Sequence, residues 1–110
     1  MAARVLDGGS MNNTEEALRL AALHELRLLD TDPEPGFEAI TDLVVALTGS
    51  SMAAVSLIDQ DRQWFKSRIG LDVSETPRDV AFCDHAIRQS GVFYVPDALR
   101  DVRFHDNPLV

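Results

Sequence analysis

Scarcity sets the first limits on this chain. One cysteine among 110 residues excludes an intrachain disulfide and fits a reducing compartment. Ten basic residues stand against eighteen acidic ones, for a net charge of −8. The basic residues are scattered singly, so no row of phosphates can be neutralised, and nucleic acid and anionic membrane surfaces drop out as partners. Long apolar runs are missing too. The longest, "LVVAL" (43–47) and the mostly apolar "MAAVSLI" (52–58), fall far short of the roughly 20 residues that span a bilayer. The opening "MAARVLDGGSMNN" has no continuous apolar stretch to act as a secretory signal, and the cytoplasm is the expected location.

Catalytic and cofactor signatures are equally scarce. There is no G-x-S-x-G, G-x-x-x-x-G-K or G-x-G-x-x-G, which removes the sequence basis for a serine hydrolase, a P-loop or a dinucleotide fold. His24, His85 and His105 lie on separate expected elements without zinc spacing, so neither a metal nor a cofactor is expected. "DQD" (59–61) opens like a calcium loop but lacks the later glycine and acidic ligands, and reads instead as a hairpin turn. No acid/base pair or activated nucleophile can be placed at a workable spacing, so no catalytic residue is named and no enzyme is expected.

What remains is the composition of one soluble domain, 45% hydrophobic and 25% charged. Residues 1–12 are small and polar and are expected to form a disordered leader. Asn13 can cap a helix over 14–29, with Glu16 completing a capping box and Leu18, Ala22, Leu26 and Leu29 at helical spacing. "DTDPEPG" stops that helix. Phe37, Ile40, Val44 and Leu47 mark a second helix, closed by Gly49. "MAAVSLID" reads as a strand covered on both faces. "QWFKSRI" alternates as an outer hairpin strand, with Trp64, Lys66 and Arg68 on one side. Residues 71–79 are expected as a polar loop, 81–90 as a short helix ended by Gly91, "VFYV" as a strand, and Asp97 as the cap of one helical turn.

Cys83 and His85 lie two positions apart. On a helix they point roughly 200° apart and cannot share a metal or a proton. Phe82, Cys83, Ala86 and Ile87 form an apolar stripe, which makes Cys83 a buried thiol of raised pKa, while His85 falls in the wetter sector of Asp84 and Arg88.

Taken together, "LLDTDPEPGFEAITDL", "AAVSLIDQDRQWFKSRIGLD", "ETPRDVAFCDHAI" and "VPDALRDVRFHDNPLV" resemble the first part of a GAF domain, of the type found in bacterial sensor histidine kinases and diguanylate cyclases. The resemblance covers roughly residues 17–110 and implies an α/β (α+β) fold, an antiparallel sheet with flanking helices. It also implies that the chain is a partial domain over 13–110, ending before the family's last strands and leaving an open sheet edge. The implied role is a sensory module in signal transduction that binds a small molecule or a signalling output domain without catalysis. An interaction module, dimerising through helix 14–29 or the open edge, and a non-functional fragment are the alternatives. If a ligand binds, Phe82, Cys83, His85, Asp97, Arg103 and Phe104 are the expected contacts.

Overall fold

A computed structural model describes residues 2–5 and 12–108, with only the backbone described for 2–5. The fold is α+β. Its centre is a three-stranded antiparallel sheet in the order β2–β3–β4, from Ala53–Ile58, Arg62–Ile69 and Glu75–Pro77. Helices α1 (Asn13–Glu25), α2 (Pro35–Thr48) and α3 (Phe82–Ala86) surround it. A second ribbon pairs β1 (Ala2–Val5) with β5 (Gly91–Tyr94), antiparallel, with Ala2 opposite Tyr94 and Val5 opposite Gly91. β1 falls within the stretch 1–12 expected to be a leader. Short 3-10 turns occupy Arg78–Val80 and Ala98–Arg100.

α1 starts one residue earlier than its capping pattern suggests. Asn12, not Asn13, is the cap, accepting the Glu15 N–H on its side-chain oxygen at 2.8 Å. The shift frees Glu16 for other partners. The helix ends at Glu25 rather than Leu29, because Arg27 and Asp30 take left-handed φ of 53° and 60°. That turn carries Asp30 to Arg62, bound through both carboxylate oxygens at 2.8 and 2.7 Å. Leu23 is the helix's buried residue, and the expected apolar positions Leu18 and Leu26 are exposed.

α2 begins at Pro35 in its first turn and ends at Gly49, whose φ of 67° suits the left-handed cap. Its sheet-facing side is Phe37, Thr41 and Val45, while Ile40, Val44 and Leu47 of the expected stripe are exposed. Two polar anchors set this rotation. Thr41 Oγ1 donates to Glu38 O at 3.0 Å, leaving Ser67 Oγ on β3 to donate to it at 2.7 Å, and both residues are buried.

β3 departs from simple alternation. Val55 faces Ser67 and Ser56 faces Phe65, so Lys66 is the extra residue of a bulge. Its ammonium turns inward, fully buried, and donates to Thr31 Oγ1 and Asp32 O at 2.6 Å each. It also pairs with Glu34 Oε2 at 2.6 Å. The expected basic stem along an outer face is therefore a buried tie between β3 and the 31–34 turn.

β2, read from the sequence as a strand covered on both faces, pairs only with β3 among the described residues and forms an edge of the sheet. β4 lies inside the expected polar loop, with Thr76 opposite Gln63. Gly70 follows β3 at φ 73°, and a Cβ there would press into the Ser51 carbonyl oxygen. The fully apolar cluster lies elsewhere, in Phe82, Ala86, Phe93, Val95 and Phe104. No helix among the described residues is long and apolar enough to cross a membrane.

Candidate functional site

Arg78 sits where the chain passes from β4 into α3, preceded by Pro77, whose extended backbone (ψ 141°) delivers it inward. Its side chain is 13% exposed and reaches three elements. Nη1 meets Glu16 Oε1 on α1 at 2.5 Å, and Nε meets Asp84 Oδ1 on α3 at 2.7 Å. Nη1 also approaches the carbonyls of Asp59 and Gln60 in the hairpin turn, at 3.4 and 3.3 Å. Glu16 is shared, taking Arg19 Nε and Nη2 at 2.9 and 2.8 Å. Asp84 is shared as well, with Arg88 Nη2 at 3.4 Å.

These contacts hold the charges in place. Hydrogen bonds from Arg19 and then Arg78 depress the Glu16 carboxyl to about 2. Burial works against the Arg78 cation, but its bonds to Glu16 and Asp84 outweigh that and raise its pKa. Beside the clasp opens a polar cleft of about 630 Å³. Glu16, Asp61, Asp79 and Asp84 contribute four carboxylates to its wall, against two guanidiniums from Arg78 and Arg88. The excess of negative charge suits cationic or amide-bearing groups and opposes phosphates.

The residues expected to contact a ligand divide into three groups. Phe82 and Phe104 stack with centroids 4.0 Å apart and planes 9° from parallel. His85 packs edge-on against Phe104 at 4.9 Å and parallel to Phe93 at 6.2 Å, so the histidine expected in the wetter sector of its helix is half-buried among aromatic rings. Arg103 lays its guanidinium over Phe93 and Phe104, at 4.8 and 5.2 Å, while Asp101 grips it at 2.9 and 2.7 Å. Cys83 points away from this cluster, receiving Ser56 Oγ at 3.4 Å, and burial pushes its thiol pKa up. Asp97 caps the Ala98–Arg100 turn through the Leu99 N–H at 3.1 Å. Four of the six thus meet, and Cys83 and Asp97 stand apart.

The Arg78 clasp has no counterpart in the sequence reading. On α1 the sequence assigns Glu16 to a capping box, and the structure makes it the partner of Arg19 and Arg78. Among the described residues, no group of three or more histidine, cysteine, aspartate or glutamate side chains is placed to hold a metal.

The chain is 42% identical over 96 residues to a protein of Pseudomonas aeruginosa named cyclic di-GMP phosphodiesterase. The match takes in 87% of this chain but 16% of that relative's length. No family model matches the chain. These findings correct the reading taken from the quoted motifs. The matched segment belongs to a protein named as an enzyme, so three expectations give way: assignment to the GAF family, a sensory role without catalysis, and the absence of an enzyme. The match lends no support to the interaction module or the non-functional fragment.

Proposed function

We propose that this chain serves the hydrolysis of cyclic di-GMP, as one part of a phosphodiesterase working in cytoplasmic signal transduction. The observation that supports this is the 42% identity with the Pseudomonas aeruginosa phosphodiesterase, sustained across 87% of the chain. The geometry narrows how the stretch contributes. Cyclic di-GMP carries two phosphodiester anions, and the carboxylate-rich cleft beside Arg78 would repel them. The Arg78 clasp beside it serves the enzyme by fixing α1, the hairpin and α3 against one another, and the nucleotide is met elsewhere.

The test is an assay of the protein as its gene encodes it, with cyclic di-GMP and cyclic di-AMP offered separately. Opening of one phosphodiester bond by water, yielding the linear guanine dinucleotide, is the expected result, with the adenine compound turned over far more slowly. Equal turnover of both, or of neither, would overturn the proposal.

A further inference from the structure

α1 is attached to the rest of the molecule chiefly by polar contacts. Leu23 is its buried residue, and Leu18 in mid-helix is exposed. Three polar contacts hold it beside the buried Leu23 and the half-buried Leu20. Glu16 binds Arg78 at 2.5 Å, Arg19 Nη1 donates to Ile58 O at 2.5 Å, and His24 Nε2 meets Asp59 Oδ1 at 2.9 Å. The first two secure the amino-terminal half, and the third secures the end. A helix held this way gains little from apolar burial and much from Coulomb attraction between partly exposed charges, which salt screens.

We propose that α1 is a releasable arm whose grip on the β2–β3 turn is set by ionic strength and by the protonation of His24. Asp59 and its partners are the charged groups that face the histidine. Asp59 faces it directly from the turn, and Arg62 of β3 shares that carboxylate at 3.3 Å. Arg62 is itself engaged by Asp30 at 2.7 Å and by Glu75 of β4 at 3.4 Å, so its cation is largely compensated. Glu25 follows His24 on the helix itself. Glu16, Arg19 and Arg78 complete the clasp at the other end, where the Glu16 carboxyl is held at about 2 and stays ionised in mild acid. Imidazole side chains change charge between about pH 5 and 8. Mild acid therefore converts the His24–Asp59 hydrogen bond into an ion pair and tightens the arm, while salt loosens it. The direction is distinctive, because acid ordinarily weakens carboxylate-based clasps. This inference is independent of the phosphodiesterase reading.

Hydrogen exchange followed by mass spectrometry tests it on the whole protein, with rates corrected for the intrinsic effect of pH. Between about pH 8 and about pH 6, protection of peptides covering 13–25 should rise about two- to fivefold, the scale of one partly exposed ion pair. About 1 M salt should reverse the gain and leave β3 peptides unchanged. His24→Gln, a change at a half-exposed side chain, should abolish the pH response and keep the salt response from Glu16 and Arg78. A pH response that persists in His24→Gln would overturn the proposal. So would α1 protection that follows β3 under every condition, since the helix would then not be separable from the body.

Discussion

An ammonium group withdrawn from water costs several kcal/mol unless other oxygens take the place of the water it leaves. Lys66 finds three, from Thr31, Asp32 and Glu34, while the Phe37 ring lies 5.6 Å from its nitrogen. The lysine thereby ties the turn between α1 and α2 to β3. Lys66→Ala should lower the unfolding free energy by about 2–4 kcal/mol, since it empties a buried site and frees the turn. Glu34→Gln should cost about 1 kcal/mol or less, because that carboxylate is half exposed and two oxygens remain on the lysine. Urea titration of both variants measures the difference, and equal losses would contradict the account. Glu16 offers a second test. Its folded pKa of about 2 lies below the ordinary 4.5, so its stabilising contribution is present above 4.5 and lost as pH falls toward 2. Between about pH 5 and about pH 3, Glu16→Gln should lose less melting temperature than the wild type. A parallel decline would show that the clasp contributes nothing. Neither residue was legible from pattern alone. Strict alternation along β3 puts Lys66 on a wet face, and one bulged residue redirects it; Glu16 is decided by Arg78, 62 residues away.

At the scale of elements, α2 carries an apolar flank that nothing among the described residues covers. Leu43 and Leu47 are 57% and 76% exposed. Its buried side is narrow, fixed by the Thr41–Ser67 hydroxyl pair and by Phe37 beside Lys66. Replacing Leu43 and Leu47 together by lysine should change stability by no more than about 0.5 kcal/mol per site and reduce self-association in sedimentation velocity. A loss of several kcal/mol would mean that the flank is packed. Gly91 does not close α3, which stops at Ala86 instead of running to 90, but element positions were readable where a residue enforces a backbone state: Gly49 at the end of α2 and the hairpin turn at Asp59–Arg62. They were not readable where tertiary contacts decide. β4 consists of Glu75, Thr76 and Pro77, which local propensity assigns to a loop, and it exists because β3 offers an edge. α1 stops early because Asp30 and Thr31 are drawn toward Arg62 and Lys66.

For the molecule as a whole the net charge is −8, and the acidic residues Glu16, Asp59 and Asp84 are each bound to basic partners. The α+β class, which the motif resemblance implied, is the class of the structure. The separation of Cys83 from His85 followed from helical geometry, and the structure places them against Ser56 and Phe104 respectively. Function was not legible in the same way. The motif resemblance led to a sensor, and the relative's name leads to an enzyme of cyclic di-GMP breakdown. The most direct test of the account compares the rate at which the gene's full product forms linear dinucleotide from cyclic di-GMP with the rate of the same protein lacking residues 13–108. The account predicts turnover by the intact protein and a much lower rate after the deletion. No turnover by the intact protein, or an unchanged rate without this stretch, would contradict it.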